Sequence, residues 1–299
     1  SNLDFIQTFI GEDKLSDTIN NRNRIYTPQK TLSMFISQSL NQDGSCQSRV
    51  NKLALLQDDE ISISTSGYCK ARKRLSTSAI SRLAKNIAFE NKQKVSKNLK
   101  FRGRNIYLID GTTITMPDTK ENKEKYPHSK SQKDGLGFPI CRVVAIICLV
   151  TGSIIDSNIG TYGGKGTGEQ MLLRDMLHNF KKGNIILGDA MYSTFSLLSY
   201  VLKHEIDIVF VQNGARSRNT DFTQGKILGD GDHIITIKKP KKNPDWMNKD
   251  EIKEIPNEIK IREIKTHDKV LITTMLCAKK NPMKLIKNLY KERWHIEVD

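Results

Sequence analysis

Apolar residues in the first third of the chain recur at the spacing of an amphipathic helix. In the segment TPQKTLSMFISQSL, Leu32 and Ile36 share a face with the other large apolar side chains. Thr27 is suited to cap such a helix, and Pro28 is suited to occupy its first position. The segment STSAISRLAKNIAFENKQ repeats the pattern, with basic residues away from its apolar face. The pattern predicts a small helical module over residues 1–100.

After this module, short apolar runs alternate with two helical segments. NIYLID, CRVVAIICLV, GSIIDSNIG, NIILGDAMY and IDIVFVQN have the length and β-branched content of strands, and a Thr-Gly hairpin signal joins the second to the third. GEQMLLRDMLHNF and TFSLLSYVLKH have helical spacing. We expect NIYLID to end on Asp110 and GTTITMP to form a turn. The order of elements predicts a mixed α/β sheet over residues 101–212.

The alternation of strands and helices stops in residues 213–280. GDHIITIKKP, EIKIREIKT and KVLITTMLCAK have the pattern of antiparallel strands, so this part is predicted to be a β-rich insertion. Residues 281–299 are predicted to form a last helix. On that helix Tyr290, Arg293 and Glu297 form a polar stripe beside the apolar one, where they can reach groups on a neighbouring element. The fold class is therefore α/β, a mixed sheet flanked by helices.

The net charge points to a polyanionic partner. The chain has 48 Lys and Arg against 33 Asp and Glu, which gives a formal charge of +15. Its longest apolar run, VVAIICLV, is far shorter than the roughly 20 residues of a membrane span. Five cysteines without a C-x-x-C pair are typical of a reducing compartment. No leader pattern opens the chain. We expect a cytoplasmic protein that binds nucleic acid and no membrane.

Basic residues are concentrated between Tyr68 and Arg104. This segment has twelve Lys or Arg and one acid, Glu90. A run of charge is often only a solvated face, but this density favours contacts with DNA phosphates, whose affinity falls steeply with salt. The candidate DNA-binding residues in its first part are Lys70, Arg72, Lys73 and Arg74.

Two carboxylates follow predicted strands, Asp110 in LIDGT and Asp189 in LGDAMY. Each could be a turn or cap residue, but ligands of α/β sheets gather at the carboxyl ends of strands. Glu297, on the helix predicted to pack on the sheet, supplies a third carboxylate. Three carboxylates together repel one another unless they hold a divalent cation, and oxygen ligands suit Mg²⁺ or Mn²⁺. Two such ions would support cleavage or joining of a phosphodiester.

Two other candidate motifs are incomplete. GTYGGKGTGEQ lacks the G-x-x-x-x-G-K-[ST] spacing of a phosphate loop, and HEIDI has Ile208 where a zinc-binding helix would have its second histidine. The six histidines show no spacing typical of metal ligands. These observations leave the carboxylate site as the main candidate.

The residues resemble a known family, the DDE transposases of bacterial insertion sequences, and within it the insertion-sequence-four group. That group has a Tyr-x₂-Arg-x₃-Glu-x₆-Lys signature, which YKERWHIE matches from Tyr290 through Arg293 to Glu297. GYCKARKRL, IDGTT, GLGFPICR and GDAMY resemble further blocks of the group in the same order. The resemblance covers most of residues 25–299.

The resemblance implies an RNase H-like catalytic core with a β-rich insertion before the glutamate helix. It implies that Asp110, Asp189 and Glu297 are catalytic and hold two Mg²⁺ ions, for which Mn²⁺ can substitute. Members of the family cut an element at its terminal inverted repeats and join the 3′ ends to target DNA. The expected partner is therefore double-stranded DNA, bound by a homodimer.

The resemblance also assigns DNA contacts to the last helix. It implies that Tyr290 and Arg293 hold the phosphate backbone and that Trp294 stacks on a displaced base. The lysine of the signature falls beyond Asp299, the last residue of the sequence. We therefore expect this polypeptide to bind DNA well and to catalyse poorly.

Two other functions fit the same residues. A DNA-binding transposase remnant would keep the helical module and would bind DNA without needing the three acids or a metal. A metal-dependent DNA nuclease would need the acids but would produce cut DNA and no joined product. Analysis of the products distinguishes the three.

Overall fold

The chain consists of two compact units in a computed structural model, with the boundary between Ile87 and Ala88. The structure describes residues 25–56, 62–96, 99–127, 137–164, 167–241 and 247–294.

The first unit is helical, as predicted. Thr27 caps the first helix by accepting a 3.2 Å hydrogen bond from the Lys30 amide, with Pro28 at the first helical position. Met34 and Tyr68 are fully buried in its small apolar core. The helices in the described residues of this unit are α1 (Pro28–Ser39), α2 (Cys46–Leu56), α3 (Thr65–Arg74) and α4 (Thr77–Lys94), the last of which continues into the second unit.

The second unit is built on one nine-stranded sheet. Its strands are β1 (Ile106–Thr115), β2 (Ile140–Cys148), β3 (Ile154–Thr161), β4 (Ile185–Gly188), β5 (Asp207–Val211), β6 (Lys226–Gly229), β7 (Asp232–Lys238), β8 (Glu258–Lys265) and β9 (Val270–Thr273). Its helices are α5 (Lys120–Lys125), α6 (Glu169–Arg174), α7 (Phe195–Lys203), α8 (Gly214–Ser217), α9 (Lys249–Glu254) and α10 (Met283–Lys291). Where the structure describes this unit, it also has short 3₁₀ turns at Leu177–Asn179, Ala190–Tyr192 and Glu292–Trp294.

The strand order across the sheet is β3-β2-β1-β4-β5-β9-β8-β7-β6. The pairs β1–β4 and β4–β5 are parallel, and the other neighbours are antiparallel. The mixed α/β sheet is confirmed, and so is the predicted order of strands and helices up to β5, except that the short helix α5 between β1 and β2 was not predicted. The three predicted antiparallel strands are β7, β8 and β9. Because β9 pairs with β5, they extend the same sheet.

The predicted end of the first strand is wrong. β1 continues through Asp110 to Thr115, so GTTIT is strand rather than turn, and Asp110 lies inside the strand. The reason is that β2 is long enough to pair with this whole segment, from Tyr107 opposite Cys148 to Thr115 opposite Ile140. The β-branched residues of the segment favour that extended backbone.

The predicted last helix is shorter than expected, because α10 ends at Lys291 and Glu292–Trp294 form a 3₁₀ turn. Two further elements differ from their predicted form. The helix predicted for GEQMLLRDMLHNF ends at Arg174, and its last part is the 3₁₀ turn Leu177–Asn179. Strand β6 was not predicted, because KILG is short and largely exposed at the sheet edge. Neither difference moves the strands that carry the candidate site.

The sheet buries an apolar layer on each face. Tyr107 and Ile109 lie in the larger core, which includes side chains from α6 and α7. Ile106 and Leu108 lie in the other core, which includes Tyr290 and its neighbours on α10. Successive side chains of a strand point to opposite faces, so odd positions of β1 face α6 and α7 and even positions face α10.

None of the helices in the described ranges is long and apolar enough to cross a membrane.

Candidate active site

Asp110 lies in β1, and Asp189 directly follows the last residue of β4, the neighbouring parallel strand. The parallel pairing of β1 with β4 matches Leu108 to Leu187, and both aspartates come two residues later. Adjacent strands are about 4.8 Å apart. The backbone of Asp189 is still extended, with φ −84° and ψ −171°. The strand register and the extended backbone therefore give the two aspartates adjacent backbone positions.

Strand alternation assigns both aspartates to the face that α10 covers. Leu108 and Leu187 pack in the core with α10, and Asp110 and Asp189 have the same parity as these leucines. Helix α10 reaches this position directly, since the Tyr290 hydroxyl lies 3.5 Å from the Gly188 carbonyl oxygen. The end of α10 and both carboxylates are thus in one part of the second unit.

Each carboxylate uses one oxygen in a local hydrogen bond. Oδ1 of Asp110 accepts from the Gly111 amide at 2.9 Å, and Oδ1 of Asp189 accepts from the Met191 amide at 2.8 Å. No hydrogen bond from the described ranges reaches Oδ2 of either residue. Both side chains are partly exposed. One oxygen of each carboxylate is therefore oriented by the backbone, and the second can bind a cation.

Glu169 and Gln170, the first two residues of α6, hold the segment that follows Asp189. The Tyr192 hydroxyl donates to Glu169 Oε2 at 3.0 Å, and the Thr194 hydroxyl donates to Gln170 Oε1 at 2.9 Å. The Gln170 amide donates to the Met191 carbonyl. We call Glu169 and Gln170 the α6 bracket. It fixes the 3₁₀ turn whose Met191 amide orients Asp189.

Gly111 allows the α6 bracket to approach β1. A Cβ atom at this position would lie 2.4 Å from the carboxyl carbon of Glu169, so a side chain there would displace the glutamate. Burial, followed by the carboxylate of Glu169, raises the pKa of Tyr192 above its ordinary value. Tyr192 therefore stays protonated and donates its hydrogen bond. Gly111, Glu169 and Tyr192 were not among the predicted site residues.

The residues predicted on the last helix differ in their exposure. Tyr290 is 4% exposed and Arg293 is 8% exposed, whereas Trp294 is 45% exposed. The Arg293 guanidinium lies 4.7 Å from the centre of the Trp294 ring, and the Lys269 ammonium lies 5.5 Å from it. Trp294 thus presents a partly exposed indole ring with two cations close to it. Stacking of a cation on an aromatic face stabilises that arrangement.

Glu297, the predicted third carboxylate, lies outside the described residues. Within the described ranges no group of three or more His, Cys, Asp and Glu side chains is arranged to hold a metal. The described part of the candidate site is therefore the pair Asp110 and Asp189.

The predicted basic residues of the first unit lie on α3. Lys70, Lys73 and Arg74 are exposed. Arg72 is partly buried, with its guanidinium 4.3 Å from the centre of the Phe35 ring. Three of the four predicted cations are therefore accessible to a partner, and the fourth packs within the unit.

The fold and the site define an α/β protein with a mixed nine-stranded sheet, in which one aspartate lies in β1 and the other directly follows the neighbouring parallel strand β4. Residues 101–298 match the model of the transposase DDE domain, and the chain belongs to this family. A comparison with curated proteins gave no match. The predicted resemblance to DDE transposases is thus confirmed at the level of the family.

Proposed function

We propose that this chain is a transposase of the insertion-sequence-four group that cleaves and joins DNA by metal-dependent chemistry at terminal inverted repeats. The observation that carries the proposal is the placement of Asp110 and Asp189 at adjacent backbone positions on the sheet face covered by α10, inside the region that matches the transposase family. Glu297 is the proposed third acid. The proposed partner is double-stranded DNA, bound by two copies of the chain.

The strand order supports an RNase H-like core. Strands β3, β2, β1, β4 and β5 are consecutive in the sheet. The pairs β3–β2 and β2–β1 are antiparallel, and the pairs β1–β4 and β4–β5 are parallel. Strands β6, β7 and β8 follow these five strands in the sequence and precede α10. We propose that they form the family's β-rich insertion, with β9 joining it to the core.

The donor set fits a hard divalent cation. Asp110 and Asp189 each offer a carboxylate oxygen, and Mg²⁺ and Mn²⁺ prefer oxygen ligands. When bound, the two ions supply activation of water or a 3′-hydroxyl and stabilisation of the leaving oxygen. The protein contributes the orientation of the ligands: the Gly111 and Met191 amides hold one oxygen of each carboxylate, leaving the other to bind the metal.

A groove beside α10 supports binding of a DNA strand. It has a volume of about 650 Å³, and Lys284, Lys287 and Lys291 line it together with Trp294. Cations along a groove bind phosphates, and an exposed aromatic ring stacks on a base. Trp294 is the proposed stacking residue. Arg293, against its ring, would restrict the indole's orientation.

Product analysis tests the proposed function. The chain would be incubated with Mg²⁺ and labelled DNA taken from both sides of its gene, together with target plasmid. A transposase produces ends that are cut and then joined to the plasmid. Products that are cut but never joined would identify a nuclease. Bound but uncut DNA, with affinity unchanged by removal of Mg²⁺, would identify a DNA-binding remnant.

Removing two exposed cations from α3 is expected to weaken DNA binding at all sequences. Each phosphate contact contributes about 0.9 to the slope of log affinity against log salt. The variant Lys70→Ala/Lys73→Ala should therefore reduce that slope by roughly 2, as measured by fluorescence anisotropy over a salt series.

The matched control for this test is Lys181→Ala/Lys182→Ala, which removes the same charge from exposed positions outside the basic segment. It should leave the slope nearly unchanged. If the slope falls equally in the two double variants, DNA binding depends only on the net charge of the protein, and the proposed contact by α3 is rejected.

Loosening the α6 bracket is expected to weaken metal binding. Gln170→Ala removes the hydrogen bonds to Met191 and Thr194, so the turn that orients Asp189 becomes mobile. Groups that orient metal ligands typically contribute about 10–100-fold to metal affinity. A Mn²⁺ titration followed by electron paramagnetic resonance should show a loss of that size.

The control for the bracket is Gln224→Ala, an exposed glutamine in the turn before β6. It should bind Mn²⁺ as the parent does. If Gln170→Ala keeps its melting temperature and binds Mn²⁺ with parental affinity, the bracket does not position Asp189.

A further inference from the structure

Two cysteines of the first unit lie in contact. Cys46 is the first residue of α2, and Cys69 lies within α3. Their sulfur atoms are 3.9 Å apart, and both side chains are partly exposed. The helices that carry them pack against each other around Val50 and Tyr68. The two thiols therefore meet at a helix contact that solvent reaches.

The surroundings of the two sulfur atoms differ. Cys46 Sγ accepts from the Arg72 guanidinium at 3.3 Å and from the Gln38 side-chain amide at 3.7 Å, and the Cys69 thiol points at it. Burial, followed by the contact with Cys46, raises the pKa of the Cys69 thiol. Cys69 thus keeps its proton. Negative charge that develops on Cys46 is stabilised by a cation and an amide.

We propose that Cys46 and Cys69 are a peroxide-sensitive dithiol that closes to a disulfide between α2 and α3, with Cys46 as the attacking thiol and Cys69 as the resolving thiol. This modification site lies outside the proposed active site, and the inference does not depend on the proposed function.

The reaction balances with a hydroperoxide as the oxidant. Cys46 sulfur attacks the peroxide and breaks its O–O bond, which gives a sulfenic acid on Cys46 and releases an alcohol, or water from hydrogen peroxide. Cys69 sulfur then attacks the Cys46 sulfur, loses its proton and expels the hydroxyl as water. Two thiols are oxidised by two electrons in total, and one hydroperoxide is reduced.

The required movement is small. A disulfide bond is about 2.05 Å long, so the sulfur atoms must approach by roughly 2 Å from their separation of 3.9 Å. Arg72 loses the acceptor that Cys46 provides when the bond forms. Because Arg72 also packs on Phe35 of α1, oxidation acts on the contacts among three helices.

The other cysteines supply internal controls. Cys141 and Cys148 are buried in β2, where a peroxide has little access. Cys277 is exposed, and backbone amides near Lys280 and Lys279 lower the pKa of its thiol. Cys277 is therefore a competing nucleophile. The test uses the full chain with Cys277→Ser so that only the paired thiols react rapidly.

The experiment treats this protein with hydrogen peroxide, blocks the remaining thiols by alkylation and identifies the linked peptides by mass spectrometry. We expect a Cys46–Cys69 disulfide as the main product. Adding Cys69→Ser should leave a Cys46 sulfenic acid that dimedone traps, whereas adding Cys46→Ser should leave Cys69 reduced. Dithiothreitol should restore both thiols in the parent.

Arg72 tests the assigned attacking thiol. Arg72→Gln should slow the oxidation of Cys46 several-fold, while Arg74→Gln on the same helix should not. The proposal is overturned if Cys46 reacts no faster than Cys141 and Cys148, or if dimedone labels Cys69 in Cys46→Ser and leaves Cys46 unlabelled in Cys69→Ser.

Discussion

Asp110→Asn is expected to abolish DNA cleavage while leaving DNA binding intact. The substitution keeps the size of the side chain and an oxygen that accepts from the Gly111 amide, but it removes the negative charge that attracts a cation. Loss of a metal ligand removes several kcal/mol of transition-state stabilisation, which corresponds to a decrease of about a thousandfold or more in the rate. Gel analysis of cleaved ends in Mg²⁺ measures that rate.

Asp189→Asn should have the same effect, because its retained oxygen still accepts from the Met191 amide and the turn is preserved. Asp118→Asn is the matched control. Asp118 is exposed and forms a 2.9 Å ion pair with Lys123 at the surface, so its loss should change the rate little. If Asp110→Asn cleaves DNA at the rate of Asp118→Asn, Asp110 does not hold the metal.

The sequence was sufficient to predict which strands carry the two aspartates. Continuous apolar runs such as NIILG are typical of buried parallel strands, and the turn signals around them were clear. The pattern could not predict that β1 runs past Asp110, because its outer half, Gly111–Thr115, is polar and mostly exposed. That half is held in extended form by pairing with β2, which is a property of the sheet rather than of the segment.

The α6 bracket could not be predicted because it depends on contacts between distant segments. Glu169 and Tyr192 are 23 residues apart, and no periodicity in either segment points to the other. One signal was present in the sequence. Gly111 lies inside a strand, and a glycine there often marks a close approach by another group. In this protein that group is the Glu169 carboxylate.

A buried ion pair ties the β-rich part of the sheet to α10. The side chain of Arg262 on β8 is fully buried and donates to both oxygens of Asp232 on β7, at 2.6 Å and 2.5 Å. Its remaining nitrogen donates to the carbonyl of Asn281 at 2.6 Å, just before α10 begins. The guanidinium thus has partners on β7 and on the segment that leads into the helix.

Asp232→Ala is expected to destabilise the second unit by about 3–5 kcal/mol, because it leaves the Arg262 charge buried without its carboxylate partner. Trp294 lies in the second unit, so its fluorescence during urea unfolding, measured in a Trp246→Phe background, reports on this unit. Replacing both charges, as in Asp232→Leu/Arg262→Met, should lower the free energy of unfolding much less than Asp232→Ala does, since no unpaired charge remains.

Glu254→Ala serves as the control for this prediction. Glu254 forms a 2.7 Å ion pair with Lys203 in which both side chains are more than half exposed, and such pairs contribute under about 1 kcal/mol. If Asp232→Ala lowers the free energy of unfolding no more than Glu254→Ala does, water must reach Arg262 and screen its charge. If Asp232→Ala is strongly destabilised and Asp232→Leu/Arg262→Met is not, Asp232 compensates the buried charge of Arg262.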